Sequence, residues 1–273
     1  MSPLAGALLL GVIQGLTEFL PVSSSGHLVI GQVVLALHQP SLLLDILLHV
    51  GTLLPVLWLY RREVGQMLGA LPKLPSPRQH WDKDQGLRLL VAVAVGTVPT
   101  ALIGVLLNDL FEQLFSSALA VGIALLITGG LLLVTYWRPG PPVEGDRGFR
   151  TLTPAKALLV GIAQGGAITP GISRSGTTIA VALLLGVERA TAARFSFLLS
   201  LPAIAGAVAL HLRKAEIAAG QLPAFALGAI AAALSGYLAL RWVVAFVKQG
   251  RMHWFTLYVW PLGLAVLLYA LTR

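Results

Sequence analysis

The sequence predicts an all-α polytopic membrane protein, an inverted-topology repeat with six transmembrane helices and two re-entrant helix pairs. Three observations carry that reading. The 273 residues are 56% hydrophobic and 11% charged, with a mean hydropathy of +0.83, whereas a soluble domain is about 25% charged. Several apolar stretches approach the ~20 residues that cross a bilayer. Residues 7–27 also recur as 157–177. Nine of the 21 ungapped pairs are identical, at Ala7, Leu8, Leu9, Gly11, Gln14, Gly15, Ser23, Ser25 and Gly26. So apolar a chain would give roughly two or three by chance, which marks an internal repeat.

Each half divides into five apolar pieces. In the first they run over about 4–19, 25–36, 42–60, 87–107 and 116–137, and in the second over about 155–168, 174–186, 191–212, 221–247 and 254–271. The halves are therefore 1–137 and 155–273, joined by a linker over 138–154. The first two pieces of each half are too short to span alone. They are separated by Pro21-Val22-Ser23-Ser24-Ser25-Gly26 in one half and Pro170-Gly171-Ile172-Ser173-Arg174-Ser175-Gly176 in the other. A helix broken by Gly, Pro and Ser at membrane depth is tolerated where it lines a cavity, which predicts two re-entrant pairs.

Three spans then follow in each half, an odd number, so the halves should be inverted relative to each other. The charges fit this. Arg61, Arg62, Lys73, Arg78 and Lys83 mark a cytoplasmic loop, as do Arg138, Arg147 and Arg150, and then Arg241, Lys248 and Arg251. Asn108, Asp109 and Glu112 lie in a loop without Lys or Arg, which belongs outside. Arg213 and Lys214 fall on the outer side against the trend. Both termini are expected outside, with the two broken loops meeting in mid-membrane.

The chain has no cysteine, which excludes disulfides and thiol nucleophiles. Met1 to Leu10 lacks a basic n-region, so no cleavable signal is expected. The net charge of +8 is accounted for by cytoplasmic loops and anionic headgroups rather than nucleic acid.

Gln14 and Glu18 are four apart and share one helix face. A carboxylate in so apolar a setting is expensive and points to function; the bland reading is a pair with Arg174 that ties the halves together, and the two roles can coexist. Ser23, Ser24, Ser25 and Gly26 supply hydroxyls, a flexible backbone and a helix N-terminus suited to anions. The second copy places Arg174 between Ser173 and Ser175, followed by Gly176 and Thr177, and an arginine fork suits phosphate oxygens. His27, one turn after Ser23 and Ser24, is placed to act as base, acid or nucleophile. The other histidines, His38, His49, His80, His211 and His253, read as core or loop residues. Asp45 reads equally as a cavity-lining acid or a helix cap, and Arg194 as a snorkelling residue at the cytoplasmic end. One carboxylate, one imidazole, several hydroxyls and one guanidinium suit phosphoryl transfer. With no dense carboxylate cluster, a divalent cation on Glu18 would share its ligands with substrate phosphate and water.

These segments resemble the undecaprenyl-diphosphate phosphatase family, the bacitracin-resistance type of bacterial inner-membrane protein. The matching runs are Gln14 to His27, Pro170 to Thr177, and Ala193 to Pro202, and the resemblance covers essentially the whole chain. It implies hydrolysis of a C55 polyprenyl diphosphate to the monophosphate carrier used in cell-wall (peptidoglycan) synthesis. It also implies bacitracin resistance, a site open to the periplasm, and dependence on Mg²⁺ or Ca²⁺. By position it makes Glu18 the essential glutamate, His27 the motif histidine, Arg174 the phosphate-binding arginine, Ser24 a nucleophile or phosphate ligand, and Ser173 the hydroxyl beside the arginine. Gln14 stands where many members carry a first glutamate, which weakens metal binding by charge there, and Ser25 replaces a threonine.

The expected site is therefore catalytic Glu18, His27, Ser24 and Arg174. Substrate would bind at Ser23, Ser25, Gly26, Ser173, Ser175, Gly176, Thr177 and Gln14, and metal at Glu18 and Gln14. The nucleophile is left open between Ser24, His27 and water. The expected partners are the polyprenyl diphosphate and membrane lipid, with a homodimer left open. The competing class is a polyprenyl-phosphate flippase or transporter, since inverted repeats with broken helices also build carriers. Against it, the first copy holds Glu18 and His27 where the second has Ile168 and Thr177, an asymmetry that suits a one-sided active site. A Ser/His intramembrane protease fits less well, because an arginine beside the serines serves an anion better than a peptide.

Overall fold

The computed structural model describes residues 2–28, 42–75, 84–142, 149–212 and 221–272. His38, Arg78, His80, Lys83, Arg147, Arg213 and Lys214 lie outside the described residues, as does 29–36 of the second predicted piece. Among the described residues every regular element is a helix. α1 is Pro3–Phe19, α2 is helical over 24–28, α3 is Leu42–Leu59, α4 is Arg61–Ala70, α5 is Gln85–Leu106, α6 is Asn108–Phe115 and α7 is Ala118–Trp137. In the second half α8 is Pro154–Gly166, α9 is Arg174–Leu184, α10 is Arg189–Leu212, α11 is Leu222–Lys248 and α12 is Thr256–Leu271, preceded by a 3₁₀ turn at Met252–Phe255.

The helix starts follow from sequence. α1 and α8 each open on a hydroxyl residue before proline. Ser2 Oγ accepts from the Ala5 N–H and Thr153 Oγ1 from the Lys156 N–H, with Pro3 and Pro154 in the first turn where a missing N–H costs nothing. Asp84 caps α5 and Ser117 caps α7 in the same way. α1 stops at Leu20, whose extended backbone is what Pro21 requires of the residue before it.

Five helical segments are long and apolar enough to cross a membrane: α5, α7, α10, α11 and 252–271. The bent pair of α3 and α4 would make a sixth. α1, α8 and α9 are shorter, as expected. Two helices were not anticipated. The basic residues from Arg61 on mark a cytoplasmic loop in the sequence, yet α4 forms a helix there, turned 82° from α3. α6 fills the predicted outer loop, with Phe111 buried and Asn108 Nδ2 donating to Glu112 Oε1 at 3.0 Å.

The two halves pack in a reciprocal way. α1 lies against α11 and α8 against α5, while α3 packs on α11 and α10 on α5. Glycines allow the first two crossings. A Cβ on Gly11 would stand 2.2 Å from the Gly228 carbonyl oxygen, and one on its repeat counterpart Gly161 2.1 Å from that of Gly96. A hydroxyl seals each crossing, Ser235 Oγ donating to the Val12 carbonyl at 3.3 Å and Thr100 Oγ1 to the Gly161 carbonyl at 2.9 Å. Gly161→Ala should therefore lower the thermal-unfolding midpoint of detergent-solubilised protein, at a cost of about 1–3 kcal/mol for forcing two backbones apart. Gly166→Ala, where a Cβ meets nothing within 4 Å, should leave the midpoint unchanged.

The segments read as cytoplasmic meet at one end. Arg189 Nε donates to the carbonyls of Pro139 and Gly140, and its Nη1 to that of Lys248. Arg194 lies 3.3 Å from Glu63 and 4.8 Å from the centre of the Phe149 ring. It is thus an ion-pair and cation–π residue rather than one that only snorkels. Thr151, before α8, accepts from the Glu188 N–H, after α9, at 3.0 Å, so the α8–α9 pair returns to the end it left. The molecule's flanks carry large exposed apolar side chains such as Leu106, Leu234 and Leu257, the exterior expected of a chain surrounded by lipid.

Candidate active site

Glu18 is the hub. It is buried in the last turn of α1, backed by Phe19, which packs edge-on against Phe197 of α10 at 5.8 Å. Its Oε2 accepts from Gln14 Nε2 at 2.9 Å and from Ser24 Oγ at 2.7 Å, and its Oε1 is paired with Arg174 Nη2 of the opposite half. His49 Nε2 stands 3.9 Å from the same carboxylate. The structure thus brings Gln14, Glu18, Ser24 and Arg174 together. It adds His49, whose Nδ1 is held 2.8 Å from the Asp45 carbonyl oxygen, leaving Nε2 to face the site.

The two broken loops share one local design. Ser23 Oγ is 3.2 Å from Ser25 Oγ, and Ser173 Oγ is 3.3 Å from Ser175 Oγ. Ser23 accepts from the Gly26 N–H at 3.4 Å and Ser173 from the Gly176 N–H at 3.2 Å. The loops touch: Ser175 Oγ donates to the Leu20 carbonyl at 3.3 Å, and a Cβ on Gly176 would lie 3.0 Å from Pro21 Cβ. Four residues expected to bind substrate, Ser23, Ser25, Ser173 and Ser175, are therefore occupied in shaping the loops.

The loops differ in how they turn. Gly171 takes the left-handed backbone in the second (φ +90°), whereas in the first Ser23 itself does (φ +69°). Among the described residues Ser23 is the one non-glycine with positive φ, a conformation that costs of order 1–3 kcal/mol and is retained at functional sites.

Among the described residues Gln14 Oε1 is buried without a protein partner, and so are two atoms of α9, Arg174 Nη1 and Thr177 Oγ1. Three residues apart, they lie on one face of α9. A buried donor left unmade costs about 1–3 kcal/mol, and an arginine fork has the geometry to meet phosphate oxygens. His27 sits apart from that cluster: Nδ1 is 2.8 Å from the Ser23 carbonyl oxygen and Nε2 2.7 Å from the Tyr258 hydroxyl, with neither nitrogen on Ser24.

Sequence reasoning missed His49 and Tyr258. A histidine within an apolar span is a signal of function, but sequence alone does not separate His49 from a hydrogen-bonded core histidine. Tyr258 carried no signal, since a tyrosine near a helix end reads as an interface anchor.

Fold and site together define a polytopic helical membrane protein whose two broken loops meet at a buried Glu18–Arg174 cluster. The chain belongs to the Bacitracin resistance protein BacA family, whose model matches residues 7–265. It is similar to the undecaprenyl-diphosphatase of Desulfatibacillum aliphaticivorans, 46% identical over 269 residues, covering 95% of this chain and 96% of the relative. The undecaprenyl-diphosphatase of Carboxydothermus hydrogenoformans is 44% identical over 266 residues, 96% and 95% of the two chains. That of Korarchaeum cryptofilum is 40% identical over 268 residues, 97% and 98%.

Proposed function

We infer that this protein is an undecaprenyl-diphosphatase, hydrolysing undecaprenyl diphosphate to undecaprenyl phosphate and inorganic phosphate. The observation that carries the chemistry is the Glu18 carboxylate, joined at once to the Ser24 hydroxyl and to Arg174, beside the open Arg174 Nη1 and Thr177 Oγ1. Ser24 Oγ attacks the terminal phosphorus and gives its proton to Glu18. The bond from that phosphorus to the bridging oxygen breaks, and undecaprenyl phosphate leaves. Water then cleaves the phosphoserine: its proton leaves through His27, the phosphate is released, and Glu18 returns the proton it took to Ser24 Oγ, with which it is already hydrogen-bonded. Arg174 and Thr177 hold the phosphoryl oxygens, whose charge must be neutralised throughout.

The donor set fits a hard divalent cation only as one shared with substrate. Gln14 Oε1 is a buried oxygen without a protein partner, a ligand type that Mg²⁺ and Ca²⁺ accept. Among the described residues no group of three His, Cys, Asp or Glu could hold a metal ion. Gln14 and Glu18 would hold it, and when bound it would neutralise charge on the diphosphate. EDTA should abolish phosphate release from undecaprenyl diphosphate by the purified protein, and added Mg²⁺ or Ca²⁺ should restore it. Full activity in EDTA would remove the cation from this scheme.

The protein resides in the bacterial inner membrane with its pocket open towards the periplasm. The clustering of Arg189, Arg194, Lys248 and the 139–140 backbone at one end supports this, because positive charge marks the cytoplasmic side. The two halves are inverted repeats and both broken pairs re-entrant, a reading supported by the reciprocal packing of α1 on α11 and α8 on α5. The flippase reading is not favoured, since the pocket's acid and imidazole belong to one copy only.

A further inference from the structure

His27 is held from two sides. Its Nδ1 faces the Ser23 carbonyl oxygen, which can only accept, so Nδ1 carries the proton. In the neutral ring Nε2 is then the sole acceptor, and the Tyr258 hydroxyl donates to it at 2.7 Å. The two rings also stack, 5.7 Å between centroids and 16° between planes. If the imidazole becomes charged the hydroxyl can reverse and accept, so the contact survives both protonation states. Any proton His27 takes up enters at Nε2, the atom that Tyr258 holds.

The contact has a counterpart in the other half. The second loop is held by Thr128 of α7, which receives the Ser173 N–H and donates to the Gly171 carbonyl, both at 3.1 Å. α7 and α12 are the last spans of their halves, and they pack on each other. Each broken loop is thus gripped by the last span of the opposite half. Thr128 grips backbone, whereas Tyr258 grips the side chain of His27, 231 residues away in sequence.

We propose that Tyr258 is a positioning residue for the reaction, fixing the orientation and the Nδ1–H tautomer of His27. This rests on the phosphatase reading and on His27 acting in it. The test uses full-length protein in detergent, with undecaprenyl diphosphate turnover and ¹⁵N-histidine NMR measured on the same variants. His27→Gln identifies the His27 resonances. Tyr258→Phe keeps the stacked ring and loses the hydroxyl, so it should move the Nε2 resonance. It should lower kcat about fivefold to tenfold, the scale of one hydrogen bond, with KM within about twofold. Added to His27→Gln it should cost nothing further.

An unmoved Nε2 resonance would overturn the positioning role. So would an unchanged or raised kcat, or an equal loss on the His27→Gln background. Wild-type protein that releases no phosphate would instead sink the phosphatase reading, while the NMR still reports whether Tyr258 holds the ring. An active His27→Gln would remove the catalytic consequence.

Discussion

Arg174→Ala should lower kcat for phosphate release by about 10²–10³-fold or more, the range seen when one preorganised charge-stabilising donor is removed. The guanidinium has two separate duties. Its Nη2 is paired with Glu18, while Nη1 is buried without a protein partner. In the proposed mechanism the first orients the acid that accepts the Ser24 proton, and the second holds the phosphoryl group. Arg174→Lys separates these duties, because an ammonium keeps the charge but not the planar fork. It should retain folding and recover only part of the rate. Initial rates with undecaprenyl diphosphate, beside size-exclusion profiles of each variant, check both. Near-normal turnover in a folded Arg174→Ala protein would place the phosphate elsewhere. Glu18 is not stranded in this variant, since Gln14 Nε2 and Ser24 Oγ still donate to it.

Much of this arrangement was legible in the sequence because it is written twice. The Ser23/Ser25 and Ser173/Ser175 pairs, with their glycine-terminated caps, follow directly from the repeat. The glycine crossings do too: Gly11 and Gly161 are identical positions that meet the backbones of Gly228 and Gly96. Short local rules also sufficed for the helix starts at Pro3 and Pro154. What escaped notice depends on tertiary placement. α4 looks like a loop when charges are taken to end a helix, but its charged face finds Arg194 from α10, and this makes a polar helix at the membrane end affordable. His49 gains meaning only because α3 brings Nε2 within 3.9 Å of Glu18. Tyr258 gains it because α12 reaches the first loop. A repeat shows which residues are built alike, but not which residues of the remaining spans will be brought against them.

The Glu18–Arg174 pair allows stability and catalysis to be separated. Both side chains are largely buried, Glu18 5% and Arg174 16% exposed, and they join the two halves directly at the loops. Glu18→Leu leaves the largely buried Arg174 guanidinium without its carboxylate partner, and should destabilise the protein by about 3–5 kcal/mol. Glu18→Leu with Arg174→Met removes both charges and fills similar volume. Replacing a whole buried pair by apolar side chains is often neutral or stabilising, so the double variant should recover most of the thermal-unfolding midpoint lost by Glu18→Leu. Its phosphatase activity should nevertheless stay as low as that of either single variant, because neither the proton acceptor nor the phosphate ligand returns. Thermal unfolding in detergent and phosphate release, measured on all three variants, decide the matter. A double variant as unstable as Glu18→Leu would mean that packing around Phe19, rather than the charge pair, holds the halves together. Recovery of stability without activity would show the pair to be retained for its chemistry, since an apolar junction would hold the same fold.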